Sequence, residues 1–514
     1  MPLTGLSPSR RTPGFKREFQ LGVGQSSGTS PLLPVLLYGN KTSAGSETVD
    51  TIGTPILDDA DCIVRFGRKS ELRTMYRKYI AIDPGATIYG VAVTESAGTA
   101  ATRTITWTGT ATATTTAIVT VLGVDVEFTV NSGDVAATVA ASATAAINAA
   151  DDGSLPLTAS TSTADTVLTA SQKSPRSDYF LAQVRVRVRD PNAGITASVA
   201  AISSGTTADD FSAAITAASL GEWGIQVTPW FLTTAPTSTD NGIGEHATMI
   251  KTQALPINGK TQVLFAGLVG TQAQCTTVAT DSDINSEWVK LIGSKNHDWT
   301  PGMLAASYAA ACRSECVAYP AANLANYPRL SGQLWGVPAP YAKSNWWTTT
   351  EIETLLADGV TPLGAKPTGD SFIVRDVTSR TVNAQSAKDY RASEGHIPFV
   401  VGAFWSILST RLQEQMQPGV ANNPTQGQKP LPLFTTPADV QAIVRQAITD
   451  GSSANAYGLY PSAILDPSPD VVETSLASVV ATKRAGGISW SCSIFSGQHL
   501  LFLEGTIREA GPAY

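Results

Sequence analysis

Strand-forming runs lie near both ends of the chain, and in the first of them apolar and polar positions alternate with period two. From Gly14 to Leu21, Phe15, Arg17, Phe19 and Leu21 fall on one side, and Lys16, Glu18 and Gln20 on the other. That is the pattern of a half-buried strand. Leu500 to Arg508 is a second β-prone run, close to the last residue. Neither run has a pairing partner evident in its own sequence neighbourhood, and chain ends are usually frayed and polar. Both strands are therefore expected to be buried elsewhere, and a neighbouring subunit is one candidate.

Between these ends the pattern switches repeatedly. Pro34–Tyr38 and Thr87–Val93 read as strands. A helix is expected from Ser70, with Ser70 as N-cap, Leu72, Met75, Tyr76 and Tyr79 inward, and Arg73, Arg77 and Lys78 opposite. From about Ser96 the composition shifts to Thr, Ala, Val and Gly. Strands are predicted there at Arg103–Thr108, Ala117–Leu122, Val124–Val130, Leu155–Ala159 and Thr166–Ala170. A helix capped by Asp134 should turn Val135, Val139, Ala146 and Ile147 inward. Val184–Arg189 alternates Val and Arg without a break.

Further on, a helix is expected from Thr207 to Gly221, and strands at Ile225–Phe231 and Gln262–Val269. Pro301 opens a helix as its first residue. Thr350 and Glu353 are spaced as a capping box for a helix stopped by Gly359. Phe372–Val377 is a strand, Thr436 starts a helix, and Val471–Val480 and Ile488–Phe495 are strands. The fold class is α+β (mixed α/β), multi-domain, with a β-rich insertion.

Composition narrows the function classes. A chain of 514 residues exceeds one hydrophobic core, so about three or more domains are expected. Charged residues are only 15%, below the roughly 25% typical of soluble domains, which suits close packing against other protein. A net charge of −7 disfavours non-specific nucleic-acid or membrane binding. The five cysteines are odd in number and scattered, reading as reduced thiols. Met1–Arg11 has no apolar signal-peptide core, and Ile397–Leu408 is too short to span a bilayer, so synthesis in the cytoplasm is expected.

The chemical motifs fail on spacing. Gly259-Lys260-Thr261 lacks the earlier glycine of a phosphate loop, since position 254 is Ala254, and it precedes a strand. Gly67-Arg68-Lys69-Ser70 reads as a capped helix start with a basic first turn. Asp281-Ser282-Asp283 begins like a calcium loop but has Ser286 where glycine and Ile292 where glutamate is required. His246, His297, His396 and His499 are far apart, and Cys312 and Cys316 have no second pair nearby. Ser294, His297 and Asp298 form a local group that does not define a triad. No catalytic, cofactor-binding or metal residue is assigned, and an enzyme is not expected. Arg185, Arg187 and Arg189 share one strand face; pairing with local carboxylates and inter-subunit contact are the two readings.

A set of segments, in order, carries a resemblance: Phe66-Gly67-Arg68-Lys69-Ser70-Glu71-Leu72, Ile225-Gln226-Val227-Thr228-Pro229-Trp230, Asn285-Ser286-Glu287-Trp288, Thr300-Pro301-Gly302-Met303-Leu304-Ala305-Ala306, Ala322-Asn323-Leu324, Gly336-Val337-Pro338-Ala339-Pro340, Trp347 to Ile352, Leu355 to Val360, and Phe372 to Thr378. With the inserted Ile105–Thr110 and Ser132–Ala137, the set resembles the contractile tail sheath protein of Mu-like myophages, over most of residues 30–380. The sheath of a non-viral contractile injection system, or another virion protein (tube or capsid), is the alternative.

The resemblance implies a division into an N-terminal arm (1–34), a core (35–95 plus 180–371), an outward-facing insertion (96–179), an inner C-terminal domain (372–497) and a terminal arm strand (498–514). It implies strand exchange that completes the C-terminal sheet between subunits. Phe15, Arg17, Phe19 and Leu21 would enter one neighbour and Leu501, Leu503 and Ile507 another, with Gly22, Gly24 and Gly28 as hinge. Arg185, Arg187 and Arg189 are candidate inter-subunit charge contacts. The implied partners are the chain itself in hexameric rings, a tail tube protein, and baseplate and tail terminator proteins. No cofactor, nucleic acid or membrane insertion is implied, and the implied location is the virion.

Overall fold

In the computed structural model, Val35–Asn40 is a strand buried at every position. The structure describes residues 34–230, 242–255, 260–318 and 336–383, scattered positions between and just beyond these, and the backbone of 471–474, 485–496 and 499–510. In chain order come β1 (Val35–Asn40), α1 (Asp59–Phe66), α2 (Glu71–Ile80) and β2 (Ile88–Val93). An inserted run follows: β3 (Ala100–Gly109), β4 (Thr115–Val121), β5 (Val124–Val130), α3 (Ala136–Gly153), β6 (Leu157–Ser162), β7 (Asp165–Lys173), α4 (Asp178–Leu181), β8 (Arg185–Val188) and β9 (Ile195–Val199). Next are α5 (Ser212–Ser219), β10 (Ile225–Thr228), α6 (Ile243–Ala254), β11 (Val263–Val269), α7 (Gln272–Ala279), β12 (Val289–Ser294), α8 (Pro301–Ala318), α9 (Thr349–Ala357), β13 (Val360–Ala365) and β14 (Ser371–Ile373). The last elements are β15 (Val471–Thr474), β16 (Ala485–Ser496) and β17 (His499–Ala510).

The core is a seven-stranded sheet in the order β14-β13-β12-β11-β10-β1-β2, parallel except for β14. Parallel sheets covered on both faces need strands apolar at nearly every position, and β1 and β11 are buried throughout. Alternation sorts β1: Val35 and Leu37 face the cluster with Phe66, Leu72 and Met75, whereas Leu36 and Tyr38 face Phe211, Ala214 and Ile215 of the α5 side. The start of α8 approaches β11 closely. A side chain at Gly267 would meet the Pro301 carbonyl at 2.1 Å, so only glycine fits there. Residues 50–56 cover the β2 edge, with Asp50 N–H donating to Ala92 O and Ile56 N–H to Ile88 O, both at 2.7 Å; this closes an otherwise exposed strand edge.

The insertion forms two antiparallel sheets, β6-β7-β3-β9 and β5-β4-β8. Its strands mix buried and partly exposed positions, and β7 alternates them along its whole length. Trp107, Ile105, Val119, Val139, Ala143, Ile147 and Leu168 fill its interior. Trp107 Nε1 donates to Thr166 Oγ1 (3.2 Å), whose hydroxyl donates to Ala140 O (3.1 Å), so both polar groups are satisfied inside the apolar core.

Several expectations are corrected. Strands β8 and β9 pair with β4 and β3, so the inserted sheets run past residue 179. β14 pairs with β13, placing residue 372 inside the core sheet rather than at a domain start. Asp134 does not cap α3: its carboxylate accepts from Asn131 N–H at 2.7 Å in the preceding turn, and Val135, expected inward, is 49% exposed. Helix α5 starts at Ser212, because Thr207 has a left-handed backbone (φ +58°) and Asp209 is drawn to Arg176. The capping box is Thr348 with Glu351, two residues before the expected pair. Arg73, expected on an outer face, is buried because α1 brings Asp59 to it at 2.6 Å.

The terminal run also has a local partner. β17 pairs antiparallel with β16 from Ala485↔Ala510 to Ser496↔His499, a hairpin that the sequence reading did not supply. The N-terminal residues Phe15, Arg17, Phe19, Leu21, Gly22, Gly24 and Gly28, and the helix expected from Thr436, lie outside the described residues.

Candidate assembly surfaces

The C-terminal sheet has the order β15-β16-β17. Among the described residues β17 is an edge strand of that sheet, and an edge leaves a row of backbone N–H and C=O groups open to another strand. Leu501, Leu503 and Ile507 stand opposite Ile494, Cys492 and Ile488, and with period two they fall on one face of β17. The structure thus brings the three C-terminal candidates together on one strand face.

The three arginines of β8 are placed differently. Arg185 pairs with Asp298, and its guanidinium lies 4.1 Å from the centre of the Tyr341 ring. Arg189 reaches Glu127 at 3.1 Å across an exposed pair, while Arg187 is exposed. Two of the three are therefore engaged within the chain. Arg185 joins the insertion to the loop before α8, a role that the Val-Arg alternation alone did not signal.

Two buried charge clusters brace the frame beneath these surfaces. Arg176, 2% exposed, donates to Glu71 (2.7 Å), Asp209 (2.6 Å) and Asn40. Glu71 also accepts from Asn40 N–H at 3.2 Å and Gln172 Nε2 at 3.3 Å. Burial pushes the Glu71 carboxyl up, against the pull of Arg176. One guanidinium thereby ties together the end of β1, the start of α2, the segment after β7 and the approach to α5. In the second cluster, Lys290 Nζ lies 2.8 Å from Asp376 and 3.3 Å from Cys312 Sγ, and donates to Gly395 O at 3.1 Å. Tyr308 OH donates to Asp376. Burial, with Asp376 beside it, drives the Tyr308 phenol well above its ordinary range.

The near-miss motifs have structural occupations. Lys260 Nζ donates to the carbonyls of Ser219, Leu220 and Gly221 at 3.0 to 3.2 Å, serving the C-terminal end of α5. His297 accepts from Trp299 N–H at Nδ1 (2.9 Å) and contacts Pro338 O through Nε2 (2.8 Å). Burial lowers its pKa to about 4, while its neighbour Asp298 is taken by Arg185. Ser70 caps α2, accepting from Arg73 N–H. Asp281 accepts from Asp283 N–H at 2.8 Å within its turn.

No family model matches the chain, and neither does any curated protein. In structure it is similar to sheath tail proteins. The sheath tail protein of Desulfitobacterium hafniense aligns at 11% identity and a TM-score of 0.49, covering 95% of this chain and 100% of that one. That of Listeria innocua aligns at 11% identity and 0.49, covering 93% and 96%. A chain of the anti-feeding prophage baseplate aligns at 11% identity and 0.44, covering 96% and 94%.

Proposed function

We propose that the chain is the structural subunit of a contractile tail sheath. It polymerises with itself around a tail tube as stacked hexameric rings. It is assembled in the host cytoplasm, engages baseplate and tail terminator proteins, and contracts to drive the tube through a host envelope. The observation that carries this reading is the long edge strand at the end of the chain. β17 pairs on one side over its whole length, and among the described residues no strand pairs with its other side; strand addition there would give affinity through main-chain bonds and specificity through alternate side chains. The ordered set of sheath-like segments between residues 30 and 380 supports the identity of the polymer.

Strand addition keeps subunits linked while their bodies move. In this reading Phe15, Arg17, Phe19 and Leu21 dock in one neighbour, Leu501, Leu503 and Ile507 in another, and Gly22, Gly24 and Gly28 permit rotation between arm and body. Contraction then draws on the difference between two packings of the same subunits, and the role is structural rather than enzymatic. Electron micrographs of the purified chain test it: wide hollow tubes with helical striation are expected, and discrete small particles at every concentration would contradict it.

A further inference from the structure

β6 (Leu157–Ser162) ends the four-stranded sheet of the insertion and, among the described residues, pairs only with β7. Along an antiparallel pair every second residue turns its N–H and C=O away from the partner strand. A two-residue turn joins Ser162 to Asp165 as a bonded pair, so on β6 the outward residues are Leu157, Ala159 and Thr161. Groups from outside the sheet close the first two. Lys69 Nζ donates to Leu157 O at 2.9 Å, and Leu157 N–H donates to Leu155 O at 2.7 Å. Ala159 meets Asn148 of α3 twice. Asn148 Nδ2 donates to Ala159 O at 2.8 Å, and Ala159 N–H donates to Asn148 Oδ1 at 2.9 Å. One amide side chain thus makes both of the main-chain bonds that a neighbouring strand would make. One turn earlier on α3, Thr144 Oγ1 accepts from Thr161 Oγ1 at 2.9 Å. The exposed Thr161 has no main-chain partner among the described residues.

Edge strands are commonly blunted by charge, proline or a bulge. β6 reads Leu-Thr-Ala-Ser-Thr-Ser, with neither a charge nor a proline, and it pairs with β7 without a register shift. Asparagine is a poor helix former beside alanine, yet Asn148 interrupts the alanine-rich stretch Ala145-Ala146-Ile147-Asn148-Ala149-Ala150 of α3. Its contacts with β6 account for it where helix propensity does not. Two copies of an uncharged strand do not repel each other, so β6 of a second copy is the strand that this edge would otherwise accept. We propose that Asn148 is a guard that keeps β6 from pairing with β6 of a second copy. The insertion is thereby kept out of strand linkage between copies.

Site-resolved hydrogen exchange on the wild-type chain reads the guard first. The Ala159 amide should exchange several times more slowly than the Thr161 amide, and equal rates overturn the guard. Asn148→Leu removes the amide at similar volume. With an unchanged circular dichroism spectrum, it should sediment as larger species than the wild type at the same concentration, and its Thr161 amide should become protected. Asn148→Asp also loses the bond to Ala159 O but places a charge on the edge, so it should sediment like the wild type. A merely structural Asn148 would make the two variants alike, and that result overturns the guard. Folded Asn148→Leu that sediments like the wild type overturns it as well, and association that leaves Thr161 unprotected overturns the pairing through β6. If Asn148→Leu does not fold, the Ala159 and Thr161 rates in the wild type still decide.

Discussion

The core sheet and the inserted sheets bury their interiors with different chemistry. β1 and β11 are buried at every position, and charged clusters around Arg176 and Lys290 sit against their sheet. In the insertion, β3 and β7 turn Ala101, Ile105, Trp107, Leu168 and Ala170 inward and leave Thr102, Thr106, Thr169 and Ser171 partly exposed, and the ion pair Arg189–Glu127 is exposed. Buried ion pairs are weak evidence for net stability, but removing one partner strands a charge. The contrast teaches where each region is vulnerable: the core to loss of a single charge or gain of a proton, the insertion to loss of apolar volume.

The largest effect should come from Arg176→Met, which leaves Glu71 and Asp209 buried beside each other without their cation. A loss of about 3–5 kcal/mol is expected by denaturant unfolding, and an unchanged midpoint would remove the distinction between the regions. Acid comes next. Burial lowers His246 to about 3 and His297 to about 4. Their folded pKa values lie below the unfolded value, so between pH 6.5 and 4 the unfolded chain binds protons that the core refuses. Stability is full above that window and falls with pH through it, by roughly 3 kcal/mol per histidine at pH 4. The insertion contains no histidine. Hydrogen exchange at pH 5 should therefore show β10 and β11 losing protection before β3 and β7, and the reverse order would break the comparison.

Smaller changes sharpen it. Ile105→Val inside the insertion should cost about 1 kcal/mol, with exchange rising in β3, β7 and β9 but not in β12. Arg189→Ala removes a pair whose members are more than half exposed, so it should shift the melting curve by no more than about 1 kcal/mol, and less in high salt.

Legibility in the sequence followed the same division. Strands β1, β2, β4, β5, β7 and β11 could be read because their patterns are continuous or cleanly alternating. Helix α2 was legible from Ser70 and the apolar spacing after it. Helix α1 was missed although Asp58 caps it, accepting from Asp61 N–H at 2.7 Å, and acids fill its first turn; that signal was available. β12 carries the polar Lys290 and Ser294 at buried positions, and Pro362 interrupts β13. The Arg176 cluster joins residues up to 136 positions apart, and no local pattern announces such a contact. β17 was legible as a strand, but its hairpin with β16 depends on a register that composition does not specify.

The central claim is that terminal strands link copies of this chain into a tube. Deletion of residues 1–21, with the full chain as control, tests it most directly by electron microscopy and sedimentation. The account predicts striated tubes from the full chain, and folded, dispersed subunits with an unchanged circular dichroism spectrum from the deletion. Normal tubes from the shortened chain would contradict it.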